Sequence, residues 1–390
     1  MDKRIIFMGK YDFIIFGGTG QQGRICARDL LDFGYSVLLV GRDTSKIQDI
    51  LKNKMSGFLS VDLRNEEEIA SAIRKSQAEI VINCAELTFN VAIMRACLKT
   101  RKSCTDLGGL QKITVQQFKL HNAFKKAGIV NITGCGSTPG IANVMAAYAL
   151  KYFDTVETID LGFAWDSNIK RFVVPYSMKS IFDELTEYPI VLSNGKFTKT
   201  DRIRCMGTFD FREVGRQTAY CIVHSEVYTF AKYFKNKGLR NVHYMAGFPE
   251  HSISVIRNLI DLGFNSKDEI EFQGKKIMPL DFTINMLKNL KIPEGYKEVE
   301  NLWVKIEGTK NGKKKNSEIN CIIKTLPGWE EAGSNVDTGR TISIMSQMLK
   351  NKLINQSGVF APEAVIPQKE FFNELAQRKM YVYLDGRKIN

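Results

Sequence analysis

Tyr11-Asp12-Phe13-Ile14-Ile15-Phe16-Gly17-Gly18-Thr19-Gly20-Gln21-Gln22-Gly23 is a short apolar run that breaks into glycine and then turns helical. The spacing predicts a dinucleotide site. Gly18 is expected to make the tight turn, Gly20 to let backbone approach a pyrophosphate, and Gly23 to let the helix lie against the strand. Thr19, Gln21 and Gln22 share that turn, where the free N–H groups of a helix start would face phosphates. Cys26, Leu30 and Phe33 follow at helical spacing, Gly34 suits the helix stop, and residues 35–40 read as the next strand.

Outward from that loop, strands are expected at 11–16, 35–40, 57–61, 79–84 and 129–133. Helices fit between them: 21–33, one carrying Ile47, Ile50 and Leu51, one carrying Ile69, Ala72 and Ile73, one over 89–100, and one with Leu120, Ala123, Phe124 and Ala127 on a single face. The alternation implies an α/β fold with a doubly wound parallel sheet, whose ligands bind beyond the carboxyl ends of the strands. After residue 134 the pattern changes to strand-like runs at 156–165, 171–174, 203–209, 219–223, 301–307 and 318–325, with helices near 225–237 and 250–262. Leu302, Val304 and Ile306 alternate with Trp303 and Lys305, the pattern of a sheet with one buried face. A second α+β domain with an antiparallel or mixed sheet is expected over 134–337, after a first domain over 1–133, and helices return from Gly339 and again from Lys369.

The chain has 390 residues, 44% of them hydrophobic, enough for two domains, and no apolar run long enough to span a bilayer. The opening Met1 to Phe7 could mimic a signal peptide, but Lys10 and Asp12 interrupt it, so a cytoplasmic protein is expected. The eight cysteines form no CxxC pair and no zinc-ligand spacing with the four histidines, so free thiols and no metal are expected. The net charge of +13 is spread along the chain apart from Lys310, Lys313, Lys314 and Lys315, which read as a solvated hairpin turn. Charge alone is a poor case for nucleic acid, and it would help draw an anionic cofactor and substrate.

Arg42 follows the second strand where a 2′-hydroxyl-binding carboxylate would otherwise stand, with Lys46 a turn further on, so NADP is expected over NAD. Asp43 is read as a cofactor neighbour or a helix N-cap, with Thr44 competing for the cap. Asp62 and Leu63 end the third strand, where adenine is usually met, though Asp62 could instead cap the next helix. Asn83, Cys84 and Ala85 end the fourth, where small residues allow close approach to ribose and nicotinamide, and Cys84 could equally be a packed thiol. Asp106, before Gly108-Gly109, could bind a substrate ammonium or move a proton, or simply form the turn. His224 has the near-neutral pKa suited to an amine or imine, while Ser225 and Glu226 could serve only the following helix. Cys135 is set between cleft contact and packing. Arg216, Tyr220 and Arg340 are candidate carboxylate binders, each arginine also open to a surface ion pair.

The stretches GGTGQQGRICARDLL, LLVGRD, VDL, VINCA, TDLGG, GCGSTPGIAN and HSE, with the tail DTGRTISIMSQMLKNKLI…GVFAPE, resemble the saccharopine dehydrogenase family, which includes saccharopine reductases, lysine 6-dehydrogenases and carboxynorspermidine-type dehydrogenases. The likeness runs over nearly the whole chain. It implies an NAD(P)-linked dehydrogenase acting on a C–N bond of an amino-acid-derived substrate, a Rossmann domain, an inserted catalytic domain that often dimerises, and a segment 338–390 returning to the Rossmann domain. It also implies contacts from the 134–140 loop, and it places Asp106 and His224 in shared motifs on either side of one cleft. A dinucleotide-binding sensor without turnover is the alternative from another class.

Overall fold

A computed structural model describes residues 10–201 and 204–390; the opening Met1–Phe7 segment and the first residue of the strand expected at 203–209 lie outside them. The glycine loop opens a parallel sheet built from β1 (Phe13–Phe16), β2 (Val37–Gly41), β3 (Ser56–Ser60), β4 (Ile80–Asn83), β5 (Ser103–Asp106) and β6 (Val130–Thr133). Its order is β3-β2-β1-β4-β5-β6, and Gly358–Phe360 adds a seventh strand beside β6. Phe13 and Ile15 face one apolar layer while Ile14 and Phe16 face the other, so helices cover both sides. Helix α1 (Gln21–Asp32) lies on the first of these faces.

β5 and the Gly358–Phe360 strand escaped the sequence reading, the one because Ser-Cys-Thr-Asp has no apolar pattern, the other because three residues are too few. The helix expected around Ile47 and Ile50 is two single 3₁₀ turns, Ser45–Ile47 and Ile50–Lys52, since β3 begins four residues later and leaves no room for an α-helix.

The second sheet has ten strands centred on β7 (Thr155–Ser167), which pairs in parallel with Asn241–Gly247 and antiparallel with Glu298–Lys310. Lys310 and Lys313 close the hairpin around Asn311 and Gly312, the solvated turn expected for that lysine cluster. Residues 171–174 form no strand: they run into Pro175 without a ladder partner. Trp303, expected on an open face, is fully buried, because the Met206–Phe211 strand lays Phe209 and Phe211 over it with ring centroids 5.5 and 5.6 Å away. Cys205 and Cys221 form a disulfide, correcting the expectation of eight free thiols; the other six are free.

The returning segment is shared between the domains. Helix Val336–Lys350 packs on α1 and beneath β4 and β5, where Ser346 bonds Thr105 at 2.7 Å and Ser343 donates to Asp29 at 2.7 Å. Residues 358–360 rejoin the parallel sheet, but Tyr381–Leu384 and Arg387–Lys388 extend the second one, so 338–390 returns only in part. The crossing with α1 is tight. A Cβ at Gly339 would stand 2.5 Å from the Ile25 side chain and 2.9 Å from the Gln22 carbonyl. Gly339→Ala is therefore expected to lower unfolding free energy by about 2 kcal/mol, the scale of core overpacking, measured by urea denaturation; an unchanged midpoint would refute the close crossing.

Candidate active site

The phosphate loop is shaped by contacts across the strand ends. Gly17, with φ +73°, takes the left-handed turn assigned above to Gly18, and a Cβ there would come 2.4 Å from the Ala85 nitrogen. Gly18 instead leaves room for Leu39 of β2, and a Cβ on Gly23 would strike the Gly17 carbonyl at 2.2 Å. Gly20 caps α1 with no side-chain bond and no acidic residue in the first turn, so N–H groups of the helix start are free. These residues fit a pyrophosphate. Thr19 packs over Gly41 at the end of β2, Gln21 is exposed, and the buried Oε1 of Gln22 has no hydrogen-bond partner among the described residues.

Arg42 is exposed and has no ion pair among the described residues; Lys46 lines a groove with Gln21, Arg24 and Arg28 of α1. Asp43 accepts from the Ser45 N–H at 2.9 Å, so it holds the 3₁₀ turn. The Asp62 carboxylate is gripped by the Arg64 side chain and N–H, which hold its pKa down at about 2, while Asn65 caps the helix Glu66–Ser76. Leu63 packs on the core beneath the sheet. Asn83 donates to Asn90 at 2.7 Å and accepts from the Ala85 N–H at 2.9 Å, which fixes the 83–85 turn against Gly17; Cys84 is half-buried beside Cys26.

Asp106 is not free to act on substrate. It is buried, with Oδ1 accepting from Asn90 (3.1 Å), the Gly108 N–H (2.9 Å) and Thr133 (3.0 Å), and Oδ2 accepting from Gln117 (2.7 Å) and Asn131 (3.2 Å). Burial raises its pKa and these donors oppose that rise. Its main-chain carbonyl accepts from Gly134 and Cys135, so the residue ties the start of the second domain to β5. The turn-forming reading is the one the geometry supports.

That turn meets the second domain directly, because Ser225 N–H donates to the Gly109 carbonyl at 3.0 Å. His224 is therefore held at the mouth of the parallel sheet. Its Nδ1 bonds Glu226, its ring stacks flat on Tyr244 at 3.8 Å, and Nε2 has no hydrogen-bond partner among the described residues. Tyr244 in turn bonds Thr138 of the 134–140 loop at 2.6 Å. Burial alone would lower the His224 pKa, but the carboxylates of Glu226 and Glu184 outweigh it and hold the ring above its ordinary value.

Three of the four expected substrate contacts are revised. Cys135 is fully buried with its thiol on the Ile132 carbonyl, so it packs. Arg216 sits on the exposed edge hairpin paired with Asp210 at 3.6 Å. Arg340 is buried at the joint with α1, stacked on Trp329 at 4.3 Å, near Asp29 at 3.5 Å and donating to the Arg378 carbonyl. Tyr220 remains on the strand face that carries Tyr244, beneath Arg257.

Sequence reading missed Glu184, Glu300 and Tyr176, which flank His224 and Tyr244, and Asp337 beside Glu300. Tyr176 donates to Glu184 at 2.6 Å. Glu300 shares a strand face with Leu302, Val304 and Ile306, and Glu184 sits beside Ile181 and Leu185 on the buried side of its helix. A charge in phase with an apolar stripe was the available signal.

A nucleotide-binding parallel sheet whose strand ends face a buried, carboxylate-paired histidine from a second sheet defines a dinucleotide-dependent oxidoreductase. Residues 13–132 match the saccharopine dehydrogenase NADP binding domain and residues 136–380 the saccharopine dehydrogenase C-terminal domain, so the chain belongs to the saccharopine dehydrogenase family. It is an NAD(P)-dependent oxidoreductase acting on a C–N bond of an amino-acid-derived substrate. Among its relatives are carboxyaminopropylagmatine dehydrogenase of Synechocystis sp., 25% identical over 375 residues covering 92% of this chain and 94% of that one, and carboxynorspermidine synthase of Vibrio cholerae, 26% identical over 261 residues covering 63% and 62%. The fold matches apo saccharopine dehydrogenase (L-Glu forming) of Saccharomyces cerevisiae with a TM-score of 0.76 at 12% identity, over 97% of this chain and 100% of that one.

Glu363 lies behind the site, accepting from Asn143 at 2.8 Å, and burial pushes its pKa up to about 7. Between the ordinary carboxyl pKa of about 4.3 and that value the native state keeps a proton that the unfolded chain releases, so this group lowers stability as pH rises and then levels off. Relative to Glu363→Gln, the wild type is expected to lose denaturation midpoint from pH 5 to 7 and to run parallel above 7.5. Parallel curves throughout would exclude the raised carboxyl.

Proposed function

We propose that the protein uses NADP to reduce the imine formed between an amine and an amino-acid-derived carbonyl, or to oxidise the corresponding secondary amine, with His224 as the proton carrier. The observation that carries this reading is the His224–Glu226 pair, fixed by stacking on Tyr244 and by the Ser225–Gly109 bond at the carboxyl ends of the parallel strands. Bound nicotinamide supplies hydride to the imine carbon or takes it from the amine carbon. Glu226 orients the imidazole through Nδ1 and favours its protonated form, leaving Nε2 to give a proton to the nitrogen in reduction and to take it back in oxidation. The Gly17–Gly23 loop and α1 would hold the pyrophosphate. Arg42 and Lys46 would take the 2′-phosphate, and the absence of an acidic residue at the end of β2 supports NADP over NAD.

The same reading includes a homodimer and a cytoplasmic location. Apolar side chains left open around the helix Pro279–Leu287, with Phe282 and Met286 50% and 57% exposed, support the first. Reliance on a soluble cofactor and six free thiols suit the second.

Arg42→Ala is expected to weaken NADPH binding by about tenfold or more while leaving NADH unaffected, as titration of both cofactors will read; equal wild-type affinities would remove the NADP preference. His224→Ala should lower kcat by about 10²-fold with NADPH affinity unchanged. Steady-state kinetics near the wild-type rate would end the assignment of His224.

A further inference from the structure

A strap from the second domain crosses α1 next to the phosphate loop. Residues 326–335 leave the long hairpin of the second sheet and run over α1 before helix Val336–Lys350 begins. The strap is clamped at its near end. Arg28 of α1 donates to the Gly328 carbonyl at 2.6 Å, the Arg28 and Arg340 guanidiniums stack on Trp329 at 3.9 and 4.3 Å from its ring centre, and Glu330 accepts from the Gly328 N–H at 2.9 Å. At its far end Glu298 Oε2 accepts from the Ser334 N–H at 2.7 Å and from its hydroxyl at 2.9 Å, and Gly333 takes a left-handed φ of +58° with no room for a Cβ against that same carboxylate. Glu331 lies between the two clamps. Its Oε1 is thereby held 3.7 Å from Nη1 of Arg24.

Arg24 and Arg28 stand one turn apart on α1 and differ in what they leave unmet. Arg28 is engaged by the strap. Arg24 makes no side-chain hydrogen bond among the described residues: its contact with Glu331 is longer than a hydrogen bond, and its Nε is buried without a partner. With Gln21 at the start of α1, Lys46 beyond β2 and Glu331 on the strap, Arg24 lines one groove, whose other acid is the exposed Asp49. Neither Lys46 nor Arg42 has an ion pair among the described residues, so the groove holds guanidinium and ammonium groups that the protein does not hydrogen-bond itself.

Resting on the assignment of the NADP 2′-phosphate to Arg42 and Lys46, we propose that Arg24 is a third cation for that phosphate and that Glu331 competes with the phosphate for it, so that a strap of the second domain sets how tightly NADP is held. The Glu331 side chain is 72% exposed, and an exposed pair at 3.7 Å is weak, so it yields to a doubly charged phosphate that can hydrogen-bond the guanidinium. A cofactor with a free 2′-hydroxyl brings no charge to the groove and leaves the pair as it is. Because the strap is clamped on both sides of it, the displaced carboxylate stays near the phosphate, and their like charge offsets part of what the cations supply. A cofactor that must leave after each turnover is thus held less firmly than three cations alone would hold it.

The test is direct binding to the full-length protein, with no turnover required: calorimetric titration of NADPH, NADH and adenosine 2′-monophosphate into wild type, Arg24→Gln, Glu331→Gln and the double variant. Arg24→Gln is expected to weaken NADPH and adenosine 2′-monophosphate about tenfold and NADH by less than about twofold. Glu331→Gln, a change on an exposed side chain, should tighten NADPH about fivefold at low salt and slow its release in stopped-flow by a similar factor, without changing NADH. That gain should vanish at high salt and be absent when Arg24 is also replaced. If the preference for NADPH survives both single changes yet is lost in Arg42→Ala, Arg24 and Glu331 are not cofactor residues and the NADP reading stands without them. Tightening by Glu331→Gln that extends to NADH, or that persists without Arg24, would overturn the competition. Equal wild-type affinities for NADPH and NADH would overturn this proposal together with the NADP reading it rests on.

Discussion

The buried carboxylate of Asp106 is the constraint on which the arrangement of the cleft depends. It gathers side chains from three elements of the parallel sheet's second half, two helices and β6, and, through its own main-chain oxygen, fixes where the chain leaves that sheet for the second domain. An ionised group in such a place is costly unless every lone pair is met, and here five donors meet it. The turn it organises presents Gly109 to Ser225, so the position of the proposed proton carrier is inherited from a residue that does no chemistry of its own.

From this anchor the two halves of the site differ in kind. The dinucleotide side is made of absences: missing side chains at Gly17, Gly20 and Gly23, a missing acid at the end of β2, and unpaired N–H groups at α1. The other side is made of side chains that hold one another: Tyr176 on Glu184, Phe163 on Phe248 and His224 on Glu226. An anionic dinucleotide is the chemical complement of the first half.

The first half was largely legible in the sequence because each of its features is local. Glycine spacing, a helix start and a strand of four apolar residues lie within thirteen consecutive positions, and their meaning survives without knowledge of the rest of the fold. The second half depends on partners far apart in the chain. Nothing near Asp106 announces Gln117, Asn131 and Thr133 as its donors, so a carboxylate beside two glycines read equally well as a catalyst or a turn. Arg340 looked like a carboxylate binder until Asp29 and Trp329 were seen to occupy it. His224 stands out in the sequence by its near-neutral pKa and its place in the HSE stretch shared with the resembled family, while Glu300 goes unnoticed although it lies in phase with the Leu302, Val304, Ile306 stripe.

The way the chain closes on itself bears on how it is made. The seventh strand of the first sheet comes from residues 358–360, the helix that lines α1 from 336–350, and the last strands of the second sheet from 381–388. During synthesis the glycine loop emerges within the first twenty-odd residues, yet the layer that covers α1 arrives some three hundred residues later. The nascent nucleotide-binding half must wait on the ribosome with one flank of α1 bare, exposing Ile25 and the buried Asp29 until the final segment threads between both domains. Completion of both sheets therefore waits on the last part of the chain, and until then the flank of α1 around Ile25 stays bare apolar surface.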